Sequence, residues 1–247
     1  MPVELGKPAD YGQFILQRRY ELAMEYGGDA IKKGGVYLDV GCGNGAQTIL
    51  FAKHFETWIG IDVEAARLKE FQDELIRGRY AAAKFDHQIL LYDGDHIPMP
   101  SDSVDVLSCI EVIEHTKDDA ATVRELFRVL KPGGTAIITV PNKWWVFETH
   151  GANLPLLPWN RVPFFSWLPT SIHEKFAKAR IYKKSRILRI LSKAGFSVSR
   201  ALYVTAPMDM IHQPTLQRMV RGTLFRKNET HVPMLSTSIM IIATKAQ

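Results

Sequence analysis

Three glycines two residues apart, Gly41, Gly43 and Gly45, follow an apolar run broken by one acid, Val36-Tyr37-Leu38-Asp39-Val40. Glycine is needed where backbone turns sharply, takes positive φ or comes within contact distance of a ligand. A strand that breaks into such a turn and then into a helix is where doubly wound sheets hold a nucleotide-like ligand. Asp39 stands two residues before the first glycine. A carboxylate there faces a pyrophosphate unfavourably and suits a ligand that carries an ammonium and a sulfonium. Asp62 closes a second apolar run, Thr57-Trp58-Ile59-Gly60-Ile61. Its distance from the glycines is close to the ~20 residues at which an acid accepts hydrogen bonds from both ribose hydroxyls.

Gly41-x-Gly43-x-x-Ala46 also satisfies the dinucleotide fingerprint, so a nicotinamide or flavin enzyme is a competing reading. The chain has neither a Gly-x-Ser-x-Gly elbow nor a Cys-x-x-Cys motif, so no covalent enzyme nucleophile is expected. Histidine is the commonest acid–base side chain. His115 and His173 are the candidates for that work, and His150, His212 and His231 are weaker ones because they lie in or beside irregular stretches.

The elements that must position these residues follow from periodicity. Residues 10–32 read as a helix with Phe14, Ile15, Leu22, Ala23 and Tyr26 on a stripe, ended by Gly34-Gly35. After the first strand a helix begins near Gly45. Ala65 to Arg77 is helical with Leu68, Phe71, Leu75 and Ile76 on one face. Residues 88–92 are a short third strand, and Val104–Ile110 a fourth. A helix from Asp118-Asp119 buries Val123, Leu126, Phe127 and Leu130, then stops at Lys131-Pro132-Gly133-Gly134. Thr135–Val140 is a fifth strand. Residues 183–194 return to a helix capped by Gly195, residues 196–203 alternate as a sixth strand, and Ser236–Thr244 is an apolar last strand.

Taken together, these stretches resemble the S-adenosylmethionine (SAM)-dependent methyltransferases with the Rossmann-like fold, in particular the group that includes the ubiquinone- and menaquinone-type small-molecule enzymes. The resemblance covers about residues 10–142 and 183–203. It rests on the glycine turn, Asp62, the Asp93-Gly94-Asp95-His96-Ile97-Pro98-Met99-Pro100 loop and the run from Val104 to Asn142. It implies an α/β fold with a doubly wound seven-stranded sheet, mostly parallel, whose last strand inserts antiparallel between the fifth and sixth. It implies SAM as cofactor and S-adenosylhomocysteine as product. The cofactor residues implied are Asp39, Gly41, Cys42, Gly43 and Gly45 in the turn, and Asp62 with Val63 at the ribose. Asp93, Gly94 and Asp95 are implied at the adenine, with Asp93 in register for the amino group and Asp95 the alternative. Ile110, at the end of the fourth strand, is implied at the cofactor too, and Arg19 of the N-terminal helix meets the methionyl carboxylate or is a surface basic residue. His115, just past the fourth strand, and His173, after the first insertion, would take the acceptor's proton or orient it.

Glu111-x-x-Glu114-His115 permits a further idea. In ubiquinone O-methyltransferases and small-RNA 2′-O-methyltransferases such a set binds a divalent metal, and in the RNA enzymes a later histidine, here in the place of His173, completes it. In many metal-free relatives an acid–histidine pair at this position packs and caps the helix. Residue types do not choose between these, and no metal is assigned.

The whole of residues 1–247 reads as one methyltransferase domain. Residues 10–142 are the SAM-binding core with its N-terminal helix, 143–182 a substrate-side lid, and 183–247 the end of the sheet with a second insertion at 204–232. The lid holds Trp144, Trp145, Phe147, Trp159, Phe164, Phe165 and Trp167, interrupted by prolines. It could form an aromatic cover over an apolar acceptor, a membrane-interface surface, or a completion of the core.

Charge is uneven. Residues 1–150 carry 16 Lys+Arg and 23 Asp+Glu, and residues 151–247 carry 15 and 3, within a net charge of +5. A basic half can attract an anionic acceptor, an anionic lipid surface or nucleic acid. No RNA-binding module is recognisable, so a small-molecule acceptor is favoured over RNA, with oxygen the favoured atom. A non-catalytic SAM-binding protein is the remaining alternative. No apolar run approaches the ~18 residues of a membrane span. Met1-Pro2-Val3-Glu4 does not read as a secretory signal, and Cys42 and Cys109 read as small buried residues. A cytoplasmic location, with or without peripheral membrane contact, is the expectation.

Overall fold

The structure is a computed structural model that describes residues 9–78, 84–147, 150, 152 and 163–246. Its element order is α1 (Phe14–Lys33), β1 (Val36–Val40), α2 (Thr48–Ala52), β2 (Thr57–Asp62), α3 (Ala65–Ile76), β3 (Asp86–Leu91), β4 (Val104–Ile110), α4 (Asp119–Val129), β5 (Leu130–Pro141), α5 (Thr170–Phe176), α6 (Lys184–Ala194), β6 (Phe196–Thr205), α7 (Pro214–Arg221), β7 (Glu229–Thr230) and β8 (Ser236–Lys245).

The strands form one sheet in the order β3-β2-β1-β4-β5-β8-β6-β7. β3, β2, β1, β4 and β5 pair in parallel. β8 runs antiparallel between β5 and β6, with Ile138 opposite Ile241 and Ala201 opposite the same residue. This is the topology expected from the sequence. The eighth strand is β7, a two-residue ribbon on the edge of β6 that pairs Tyr203 with Thr230. Its Glu229-Thr230 is too short to carry a period.

The inner strands are apolar on both faces because helices cover both. Leu38, Val40, Leu107 and Ile138 pack with Val123, Leu126 and Val129 of α4 and Ile187 and Leu191 of α6. Tyr37, Trp58, Val106 and Ile137 pack on the other face with Ile15, Leu16 and Leu22 of α1, Phe51 of α2, and Leu68, Phe71 and Leu75 of α3. Burying each such side chain contributes roughly 1.5–3 kcal/mol.

Two elements differ from the sequence reading. The helix after the glycines begins at Thr48 rather than near Gly45 and has one turn and a half, because Gly45 takes φ 81°. The Lys131–Gly134 turn does not precede β5 but bulges inside it: pairing with β4 shifts register between Val104/Leu130 and Val106/Thr135. In the lid, the described residues include a 3₁₀ turn at Phe165–Trp167 and helix α5. Trp159 lies outside the described residues.

Candidate active site

The glycine turn is shaped by what surrounds it. Gly41, Gly43 and Gly45 all take positive φ. A Cβ on Gly41 would stand 2.3 Å from Cγ2 of Val112, and one on Gly45 would stand 2.1 Å from the Phe71 ring. Both positions therefore exclude any side chain. The amides of Gly41 and Cys42 donate to the carbonyl of Ile61 at 2.8 and 3.0 Å, which ties the turn to the end of β2. Asp62 completes the tie: its carboxylate accepts from the Gly43 amide at 2.8 Å and from the Glu64 amide at 2.9 Å.

Asp39 is buried at the foot of this turn. It accepts the hydroxyls of Thr48 and Ser108, and the Ser108 oxygen also lies 2.6 Å from the Tyr37 hydroxyl. Burial pushes the Asp39 carboxyl up to about 6, against the two hydroxyls, which pull it down, and with a further push from the charge on Asp62. The site thus holds a carboxylate that is costly to ionise until a cation arrives.

These groups open into a cleft of about 1460 Å³ over the carboxyl ends of the parallel strands. Of the residues singled out in the sequence, Arg19, Asp39, Gly41, Cys42, Gly43, Asp62, Val63, Asp93, Gly94, Asp95, Ile110 and His115 line it. Gly45 does not; it faces Phe71, and its role is packing. Asp93 is exposed and accepts the amides of Asp95 and His96, both at 2.9 Å. Those two amides hold its carboxyl below the usual carboxylate range. Asp95 meets Lys117 at 3.1 Å. Arg19 is nearly buried and pairs with Glu111 at 3.2 Å. Its neighbour Arg18 points elsewhere. It donates to the carbonyls of Thr205, Ala206 and Phe225 and so clamps α1 to the end of β6.

Beyond the glycine turn the chain leaves β4 through Glu111, a non-glycine residue at φ 56°. Strained backbone of this kind persists where its surroundings over-determine it. Here the Glu111 amide donates to the Thr139 carbonyl at 3.1 Å, and the Thr139 hydroxyl donates to the Glu111 carboxylate at 2.9 Å. The next turn buries Glu114 completely. Burial, then the charge on Glu111, push its carboxyl well up. His115 Nε2 lies 3.8 Å from that carboxylate and His150 Nε2 lies 3.6 Å from it, and the two rings meet edge to face at 5.0 Å. Ligand atoms of Glu114, His115 and His150 all lie within 4.8 Å of one another. One carboxylate and two imidazoles could hold a divalent ion, or could hold and pass a proton.

This grouping differs from the set read from the sequence. Glu111 turns to Arg19 and Thr139. His173 lies fully buried on α5 with its ring 5.0 Å from Phe165 and does not line the cleft. Its short helix presses that face into the lid's own apolar cluster of Ala152, Phe165 and Ala177. His150 stands instead beside His115. It has no helical or strand context in the sequence. Arg180 and Lys143 were likewise not singled out. Arg180 donates to the carbonyls of Thr116 and Lys117 and fixes the loop that bears His115. Lys143, buried, donates to the carbonyls of Ser166 and Leu168 at 3.0 and 2.6 Å and moors the lid to the end of β5.

The lid aromatics divide. Trp145 and Phe147 line the cleft, Phe165 is buried, and Trp144, Phe164 and Trp167 are exposed. No helix of the described residues is long and apolar enough to cross a membrane.

Residues 38–138 match the family model of a methyltransferase domain. A probable S-adenosylmethionine-dependent methyltransferase of Mycolicibacterium smegmatis is 30% identical over 167 residues, which are 68% of this chain and 54% of that protein. A ubiquinone biosynthesis O-methyltransferase of Pseudomonas fluorescens is 31% identical over 130 residues, 51% of this chain and 54% of that protein. The chain spans about half the length of these curated relatives. Among solved structures, an S-adenosylmethionine-dependent methyltransferase from Clostridium acetobutylicum is similar with a TM-score of 0.64 at 12% identity, over 97% of this chain and 93% of that one. At that identity the likeness is one of fold. Residues 38–138 are thus a methyltransferase domain, and the chain is similar to the SAM-dependent methyltransferases of Rossmann-like fold, a family whose cofactor is S-adenosylmethionine.

Proposed function

We propose that this chain transfers the methyl group of SAM to a small apolar or aromatic acceptor, with oxygen as the favoured acceptor atom. The observation that carries this reading is the division of one cleft into two chemistries. One set of lining residues is the glycine turn with Asp39, Asp62, Asp93 and Arg19; another holds two ring pairs, Trp145 with Phe147 and His115 with His150. The first set fits SAM: backbone without side chains at Gly41 and Gly43, carboxylates at successive strand ends, and a guanidinium near the strained end of β4. The second fits an acceptor that stacks on rings and must lose a proton.

SAM supplies the electrophilic methyl and its own leaving group. The protein's part is then to position, to exclude water and to take a proton. Asp62 holds the ribose hydroxyls while its amide contacts keep the turn closed. Asp93, or Asp95 beside it, accepts from the adenine amino group. Arg19 faces the methionyl carboxylate, and Asp39 offsets the cofactor's positive charge. Trp145 and Phe147 hold the acceptor and keep water from it. His115 and His150 would take the proton that an acceptor hydroxyl releases, with Glu114 beside them to share it. The P. fluorescens relative is a ubiquinone biosynthesis O-methyltransferase, which supports oxygen as the acceptor atom here.

The test is transfer of labelled methyl from SAM to a panel of catechols, monophenols, primary amines and carboxylic acids, with RNA as a separate arm. Transfer to a phenolic hydroxyl, lost in Asp62→Ala, is the expected result. Cofactor binding without transfer to any member, or transfer to RNA alone, overturns it.

A further inference from the structure

The second insertion presents a helix turned inside out. A surface helix ordinarily buries its apolar stripe and gives its polar face to water. In α7 two polar side chains, Gln217 and Arg221, turn to the protein. Gln217 donates to the carbonyls of Met208 and Ile211 at 3.1 and 3.0 Å. Arg221 donates to the carbonyl of Pro207 at 2.7 Å, pairs with Asp209 at 2.6 Å, and lies over the Phe14 ring. Val220 is half-buried, but the two larger apolar side chains are open to solvent: Leu216 is 45% exposed and Met219 63%, and Leu224, just past the helix, is 72% exposed. Leu216 and Met219, three residues apart, share a face. No residue of α7 is buried.

The orientation is specified rather than accidental. Pro214 opens the helix, the Gln213 side chain caps it by accepting the Leu216 amide, and the Gly222 amide closes it on the carbonyls of Arg218 and Met219. Arg18 reaches from α1 to the carbonyl of Phe225, so the segment is moored at both ends. Around the exposed apolar ridge the charge has one sign. Arg218, Arg226 and Lys227 are exposed, and no acid occurs between Asp209 and Glu229. None of these three cations makes an ion pair among the described residues. Large apolar side chains exposed together within a ring of unpaired cations are the signature of a helix that lies in a lipid interface, not of a solvated face.

We propose that residues 212–227 seat on an anionic lipid surface. Leu216, Met219 and Leu224 enter the boundary between headgroups and acyl chains, and Arg218, Arg226 and Lys227 meet lipid phosphates. The same insertion begins as the rim of the cleft, where Met208 and Met210 line it. Seating α7 therefore sets this rim of the cleft next to the membrane, from which an apolar acceptor enters; this last step rests on the function proposed above, whereas the seating does not.

Sedimentation of the full chain with phosphatidylcholine vesicles, with and without phosphatidylglycerol, tests the seating without using turnover. Binding to the phosphatidylglycerol vesicles, weakened by salt, is expected. Leu216→Ser/Met219→Ser and Arg218→Gln/Arg226→Gln/Lys227→Gln are each expected to weaken it about tenfold or more. Both variants should keep the wild-type thermal shift with SAM, which shows that fold and cofactor wall are intact. Absence of vesicle binding by the wild type overturns the proposal, as does binding that neither variant changes. A wild-type dimer in sedimentation velocity that Leu216→Ser/Met219→Ser dissociates, with no vesicle binding, assigns the ridge to a second copy of the chain instead. Vesicle binding without methyl transfer to any acceptor leaves the seating standing and removes the enzymatic reading. Transfer to a soluble phenol without vesicle binding does the reverse.

Discussion

Arg19 of α1 and Glu111, the residue that follows β4, meet at 3.2 Å on the wall of the cleft. Both side chains are largely withdrawn from water, and the Thr139 hydroxyl fixes the same Glu111 oxygen at 2.9 Å. The pair joins the helix that covers the cleft to the strained turn beneath it, and it places a guanidinium where the methionyl end of the cofactor is proposed to lie. Arg19→Ala is expected to weaken both SAM and S-adenosylhomocysteine about tenfold or more, the worth of one hydrogen bond between charged groups. Arg19→Lys should recover only part of this, because a lysine cannot serve two acceptors in a planar fork. Calorimetry with both ligands checks it. Equal affinities in wild type and Arg19→Ala would show that the guanidinium serves Glu111 alone.

Asp62 has two duties, and its variants should separate them. Its carboxylate already holds the amides of Gly43 and Glu64, so removing it loosens the turn as well as the proposed ribose contact. Asp62→Ala is expected to lower unfolding free energy by about 1–2 kcal/mol and to weaken SAM by a further tenfold or more. Asp62→Asn keeps an acceptor for one amide and should recover stability more than affinity. A variant that loses stability while binding SAM as tightly as wild type would leave Asp62 a turn residue only.

The order of strands and the proposed cofactor wall were legible because they are local. Asp39, the three glycines and Asp62 announce themselves by type and spacing within single strand–turn–helix units, and twelve of the fourteen residues singled out as candidate site residues line the cleft. The acceptor side was not legible, because the lid is irregular. His173 has the polar type of a catalytic residue, yet α5 turns it against Phe165. His150 has no periodic neighbours at all; the bridge from Ala152 to Ala177 folds the lid on itself, and the one from Asn142 to Tyr182 returns it to the end of β5. The inverted face of α7 was illegible for a related reason. An amphipathic pattern states that a helix has two faces but not which one meets the protein, and here hydrogen bonds from Gln217 and Arg221 decided it.

The three histidines should accordingly answer differently to substitution. His115→Ala and His150→Ala are expected to lower kcat by about 10²–10⁴-fold, the range for loss of a positioned acid or base, with SAM affinity near that of wild type. His173→Ala is expected to lower unfolding free energy by about 1–3 kcal/mol, the cost of emptying a buried polar site, with kcat little changed. Denaturant melts and initial rates on the same three proteins check this. Elemental analysis and rates in chelator, run alongside, distinguish an ion held by Glu114, His115 and His150 from a proton held there. A kcat loss confined to His173→Ala would return that residue to the reaction and remove the other two.

Asp39 should make cofactor binding depend on pH with a definite sign. Its carboxyl is raised from 3.8 to about 6 by burial, so the folded chain holds that proton more tightly than the unfolded chain does. The contribution to stability is greatest below pH 4, falls as pH rises through the window from 4 to about 6, and is constant above it. The fall amounts to about 3 kcal/mol at most. Comparing Asp39→Asn with wild type isolates it from the other acids, since the neutral side chain has no such window: the variant should gain relative stability between pH 4 and 7. SAM is expected to reverse the penalty, because its positive charge favours the ionised carboxyl. SAM affinity should therefore rise with pH through 6, about tenfold for each unit by which the bound cofactor lowers the Asp39 carboxyl. S-adenosylhomocysteine, which keeps the ammonium but lacks the sulfonium, should show a shallower rise, and Asp39→Asn none with either ligand. Titrations of both ligands from pH 5 to 8 settle which charge Asp39 meets. Profiles of equal slope would assign it to the ammonium alone, and flat profiles in the wild type would leave it only its hydrogen bonds from Thr48 and Ser108.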